Sequence, residues 1–255
     1  MKLKDKTALI TGGSSGIGEA IAIKFAAEGA AVAVLARADE DRARTVVDKI
    51  ADHGGIARPY AADVTDAGAV AALVDKVIAD LGRIDILVNS AGVFYPTPIG
   101  ETGADAYDRM VDINLKGTFL MINAVAPHMR ARRYGKIVNL SSICGFMGFK
   151  GYALYCATKG AIVMLTKTLA LELAGDNVNV NAIAPGNTAS PMNADIRTKP
   201  ELRAFYDEIA ARTPSGQAYS SPDDMAETAL FLASDASRAM HGSTLLMDEG
   251  FSAGM

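Results

Sequence analysis

The chain has 255 residues, half of them hydrophobic, with 25 lysines and arginines against 29 acids for a formal charge of −4. That length suits one α/β core in a single domain spanning residues 1–255, and the slight acidic balance lacks the basic excess that neutralises phosphates, so no nucleic-acid partner is expected. No run approaches the about 18 uninterrupted apolar residues of a membrane helix, and His53, His128 and His241 are isolated in sequence, so neither a membrane nor a metal site is expected.

The opening MKLKDK runs directly into the first predicted strand, TALIT (7–11), leaving no room for a signal peptide. Further strands are predicted at AVAVLA (31–36), IARPY (56–60), IDILVN (84–89), KIVNLS (136–141), NVNAIA (179–184) and STLLMD (243–248). Between them apolar residues recur at helical spacing, as at Ile17, Ile21 and Phe25, and again at Val70, Leu73, Val77 and Leu81. Most strands are apolar without alternation, the pattern of strands covered on both faces. Strand and helix alternate almost to the end, which predicts a parallel sheet with helices on both sides. Two stretches break the rhythm: VFYPTPIGETG (93–103) and the proline-divided segment 187–221. Parallel sheets bind ligands outside the carboxyl ends of their strands. Both stretches should sit there, the second as a substrate lid. Cys144 and Cys156 are too few for a disulfide framework, which suits a reducing, cytoplasmic compartment.

Gly12, Gly16 and Gly18 lie between the first strand and a helix beginning near Ile17. Glycine there permits positive φ, and the helix N-terminus offers free N–H groups to a pyrophosphate. A tight turn alone would need only one or two of them. With TGGSSGIG (11–18) the chain resembles the short-chain dehydrogenase/reductase family, whose fingerprint is TGxxxGxG. ADV (62–64), NSAG (89–92, with Ser90 departing from the family's NNAG), DINLKG (112–117), SS (141–142), YCATK (155–159) and APG (184–186) follow in the family's order. The resemblance covers nearly the whole chain and implies a single Rossmann-like domain, about seven parallel strands in the order 3-2-1-4-5-6-7.

Tyr155 and Lys159 are four apart and share a helix face. A packed tyrosine and a snorkelling lysine would give the same spacing. An ammonium beside a phenol lowers its pKa from about 10, so Tyr155 could exchange a proton with an alcohol or carbonyl while hydride moves to or from nicotinamide. Ser142, thirteen residues before Tyr155, could hydrogen-bond the substrate oxygen; Ser141 is its rival by chemistry. The resemblance gives Lys159 the nicotinamide ribose and gives Asn114 a water that relays protons to Lys159. It further implies cofactor contacts at Gly12, Ser14, Ser15, Gly16, Ile17, Gly18, Asp63, Val64, Asn89, Ala91, Gly92, Tyr155, Lys159, Pro185, Gly186, Thr188 and Ser190.

At the end of the second strand, VLAR, Ala36 stands where an NAD enzyme of this kind places an acid, and Arg37 offers a fork suited to a 2′-phosphate. Ser15, at a position often basic in NADP-preferring relatives, and the nearby Asp39 and Glu40 pull the other way. Arg37 could also merely cap the strand on the surface. NADP(H) is therefore expected, with NAD(H) also possible.

The substrate is expected to be a small carbonyl compound or secondary alcohol. Phe94, Cys144, Phe149 and Met192, with Phe146, Met147 and Tyr152, are the candidate pocket walls. Within that chemistry, 3-oxoacyl thioester reduction and sugar or polyol oxidation are the alternatives. Leu171 before Glu172 lacks the basic residue of carrier-protein reductases, and Arg197, Lys199 and Arg203 could meet an anion or face water. A catalytically silent dinucleotide sensor is the alternative from another class. The helix through YCATKGAIVMLTKTLALELA is apolar nearly all round, so a second subunit is expected against it. The resemblance makes that a homotetramer or a dimer, with STLLMDEGFSAGM in a second contact.

Overall fold

In a computed structural model of the chain, residues 1–37 and 40–253 are described. Seven parallel strands form one sheet: β1 (Thr7–Thr11), β2 (Ala31–Ala36), β3 (Ile56–Ala61), β4 (Ile86–Asn89), β5 (Gly135–Leu140), β6 (Val178–Pro185) and β7 (Thr244–Met247). Their order is 3-2-1-4-5-6-7, as the resemblance implied. Every predicted strand is present, with ends displaced by at most two residues. Pro59 is accommodated because β3 is an edge strand.

The helices that cover the sheet are α1 (Gly16–Ala27), α2 (Glu40–Asp52), α3 (Ala67–Leu81), α4 (Ala104–Val111), α5 (Gly117–Arg132), α6 (Ala153–Leu173), α7 (Ala194–Thr198), α8 (Arg203–Arg212) and α9 (Pro222–Ala233). Successive strand residues feed two cores. Ala8 and Ile10 pack with α1, α2 and α9 on one face, whereas Leu9 packs with α3, α5 and α6 on the other. Double coverage is why the strand sequences show no polar alternation.

The stretch Ala153–Asp176 is long and apolar enough to cross a membrane by length and composition, at mean hydropathy 1.2. It holds no uninterrupted apolar run, because Lys159, Lys167 and Glu172 interrupt it. Ile162, Thr166, Ala170 and Leu173 are buried, and the helix packs against β6, as a core helix does. The strand order reverses between β1 and β4, opening a crevice at their carboxyl ends. Thr11 Oγ1 spans it, accepting from the N–H groups of Ser90 and Ala91 at 3.0 Å each.

Candidate active site

The turn from β1 into α1 is built for close approach. Gly12 and Gly16 adopt φ of 63° and 57°, where a side chain would be strained. A Cβ on Gly18 would lie 2.3 Å from Gly12 O, and one on Gly12 would lie 2.9 Å from Ala91 N. The three glycines therefore bring helix, turn and the β4 loop within van der Waals reach. Ser15 stands at the N-cap of α1 in extended conformation without bonding the helix through its side chain, so the first-turn N–H groups face the crevice.

Beside this turn a cavity of about 210 Å³ opens, with Ser142, Tyr155 and Lys159 among its lining residues. The Ser142 hydroxyl accepts from Cys144 N at 3.1 Å and lies near enough to the Tyr155 phenol to favour its ionised form. Ser141 instead donates to Lys159 O at 2.9 Å, so the two serines divide: one holds the helix, the other meets the phenol. Lys159 donates from Nζ to Leu140 O at 2.8 Å and lies 5.7 Å from the Tyr155 ring centre. Asn114 sits on a π-helical turn, Asp112–Lys116, the kind of irregularity common at functional sites. Its Oδ1 accepts from Val93 N at 2.8 Å, and its Nδ2 donates to Val93 O at 3.0 Å and Thr158 Oγ1 at 3.3 Å. That side chain clamps the root of the β4 loop to α6.

The electrostatics depart from the expectation that Lys159 lowers the phenol. Burial pushes the Tyr155 phenol well above its ordinary value and outweighs the lowering influence of Ser142. Burial also brings the Lys159 ammonium down to about 8. Lys159 Nζ is meanwhile engaged by the Leu140 carbonyl. Burial likewise pushes the Cys144 thiol up to about 11. A thiol so raised is a poor nucleophile at neutral pH.

A family model described as enoyl-(acyl carrier protein) reductase matches residues 12–252. The chain belongs to the short-chain dehydrogenase/reductase family. It is 37% identical to the 3-oxoacyl-[acyl-carrier-protein] reductase FabG of Thermotoga maritima, over 98% of this chain and 99% of that one. It is 39% identical to 3beta-hydroxysteroid dehydrogenase 1 of Eggerthella lenta, over 97% and 94%. Among solved structures it resembles a gluconate 5-dehydrogenase from Burkholderia cenocepacia in complex with NADP and tartrate. The TM-score there is 0.94, with 36% identity over 100% of this chain and 98% of that one. As a short-chain dehydrogenase/reductase, the chain is an NAD(P)-dependent oxidoreductase of alcohol and carbonyl groups.

The residues present fit the family's dinucleotide. Thr188 Oγ1 is buried at the cavity wall without a partner among the described residues, a hydroxyl that a carboxamide would satisfy. A Cβ on Gly92 would crowd Asn114 Oδ1 at 3.3 Å, and one on Gly16 would meet Ser190 Cβ at 3.2 Å. Ile17, Gly92, Pro185, Gly186 and Ser190 line the cavity with Thr188. Arg37 is exposed, its Nε 3.2 Å from Asp63 Oδ2, so two expected cofactor contacts brace one another. Asp63 also accepts from Thr65 N and Oγ1, which with Arg37 hold its carboxyl below the usual range. Val64 is buried against Gly117 rather than open to the crevice. Asn89 is buried in the sheet, its side-chain amide donating to Asn139 Oδ1 at 2.9 Å. Asp39, weighed against Arg37, lies outside the described residues.

Phe94, Cys144, Met147, Phe149, Tyr152 and Met192 line the cavity, whereas Phe146 is half exposed outside it. Phe94 stacks on Tyr152 at 4.5 Å and meets Tyr155 edge-on at 4.8 Å. Sequence reasoning missed Phe205, Ile209 and Phe251 in the lining. The i, i+4 spacing of Phe205 and Ile209 on α8 carried a signal; the arrival of Phe251 from the chain's end carried none.

Proposed function

We propose that this dehydrogenase/reductase prefers NADP(H) and exchanges hydride with a ketone or secondary alcohol through Asn114, Ser142, Tyr155 and Lys159. The reading is supported by one observation above all: Ser142, Tyr155 and Lys159 line a single cavity beside the glycine turn, with Lys159 Nζ 5.7 Å from the Tyr155 ring centre. Bound NADP(H) supplies the hydride or accepts it. Ser142 orients the substrate oxygen and Tyr155 donates or takes its proton. Lys159 holds the ribose and keeps positive charge beside the phenol, and Asn114 fixes the loop and helix that carry them. Gly12, Ser14, Ser15, Gly16, Ile17 and Gly18 would hold the pyrophosphate, with Ala91 and Gly92 along its path. Residues 185–190 would hold the nicotinamide side, and Asp63 and Arg37 the adenosine side. Arg37 supports NADP(H), because its fork stands beside a position where Ala36 offers no carboxylate.

Tyr155→Phe tests the assignment: turnover should fall by two orders of magnitude or more, on the scale of general acid–base catalysis, while cofactor affinity stays within about a few-fold. Near-normal turnover would refute it. Residues 187–221 act as the substrate lid in this reading. The apolar exposure of Leu171, Met164 and Phe119 supports a homotetramer. The two free cysteines suit a cytoplasmic location.

A further inference from the structure

Two walls of the cavity decide what it takes. One is aromatic: Phe94 stacks on Tyr152 with ring centres 4.5 Å apart, and Phe149 lies tilted against the same Tyr152 at 4.9 Å. The other is the lid, which contributes Met192, Phe205 and Ile209. Asn193 also reaches the cavity, yet its amide is taken up within the lid. Its Oδ1 accepts from Ser190 N and Arg197 Nε, and its Nδ2 donates to Thr188 O.

The basic side chains of the lid are likewise engaged at home. Lys199 pairs with Asp195 at 2.9 Å, Arg203 with Asp207 at 2.9 Å and Arg212 with Glu208 at 4.0 Å. Arg197 donates to Ser190 O at 2.9 Å and lies over the Tyr219 ring, while Arg212 lies over Phe251. Each pair is worth little to stability. Their effect is on the field at the cavity mouth: three of these four cations have a carboxylate one helical turn away, so little net charge attracts an anion.

We propose, resting on the oxidoreductase reading above, that the substrate is a neutral, largely hydrocarbon ketone or secondary alcohol, with an alicyclic or aromatic body, rather than a sugar acid or a carrier-bound acyl chain. Hydrocarbon entering between these walls leaves water at no polar cost. A polyol's hydroxyls would find Asn187, Glu208 and Arg212 at the cavity but would face Phe94, Phe149, Phe205 and Ile209 elsewhere, and each hydroxyl left unpaired costs about five- to a hundredfold in affinity. A carboxylate or an acidic carrier finds the lid cations already paired.

The test compares kcat/KM with NADPH for 4-tert-butylcyclohexanone, 5-keto-D-gluconate and an acetoacetyl thioester, alongside NADPH binding by fluorescence. The cyclohexanone should exceed both others by at least about fifty-fold. Equal or better use of the keto acid or the thioester overturns the substrate class while leaving the oxidoreductase reading intact. A protein that binds NADPH but reduces none of the three overturns the substrate class proposed here. In Glu208→Gln, Arg212 loses its carboxylate, and the ratio of keto-acid to cyclohexanone efficiency should rise several-fold. An unchanged ratio overturns the charge argument.

Discussion

At Tyr155 burial holds the phenol above its ordinary value, which favours the proton-donating half of its role. A phenol held above its ordinary value is protonated at neutral pH, so it is poised to give a proton to a carbonyl. Lys159, brought down to about 8, is charged below that pH and neutral above it. Carbonyl reduction should therefore decline as pH rises through about 8, while alcohol oxidation, which needs the phenolate, should gain with pH. Lys159→Arg keeps the charge and should remove the limb near 8; a wild-type reduction profile flat from about 6 to 10 would contradict the assignment. Arg37→Ala should weaken NADPH binding about ten- to a hundredfold, on the scale of charged hydrogen bonds, and barely change NADH. Titrating both cofactors checks it, and a wild type more efficient with NADH would place Arg37 outside the phosphate site. The resemblance's spacing pointed to Ser142, Tyr155 and Lys159, and all three line one cavity. The acceptor of Lys159, Leu140 O, was not, because it depends on how α6 crosses β5.

Among the elements, the β1–α1 turn is the least forgiving. Gly18→Ala would drive a methyl group to 2.3 Å from Gly12 O, and both partners there are backbone. The turn must open, at a cost of about 1–3 kcal/mol typical of overpacking. The urea midpoint should fall, and NADPH affinity with it, since the same turn presents the α1 N–H groups. An unchanged midpoint would mean that the turn relaxes freely. The strands were readable because two covered faces demand continuous apolar runs. The π-helical turn at Asp112–Lys116 was not, since one extra residue per turn leaves no mark on a short apolar pattern. The direction of the Asn89 side chain was not legible for a related reason. A motif records that an amide is needed but not whether it faces the crevice or, as here, Asn139.

For the whole molecule, the outer face of α6 and α5 leaves Leu171 85%, Met164 59% and Phe119 48% exposed. Apolar groups this open call for a cover, and Leu171→Asp should lower the assembly state seen by light scattering while leaving the monomer's far-ultraviolet circular dichroism intact. A wild type that is monomeric at micromolar concentration would refute the homotetramer. The seven-strand order came through the family resemblance; the arrival of Phe251 at the cavity did not, because it depends on how the chain folds back after β7. The internal pairing of the lid has one more consequence. Helices α7 and α8 pack chiefly on each other, and their ion pairs close within single helical turns. They impose almost no long-range field on the catalytic floor, so this stretch is an exchangeable cassette. Its inner surface can be rewritten for a different guest without retuning the proton chemistry beneath it.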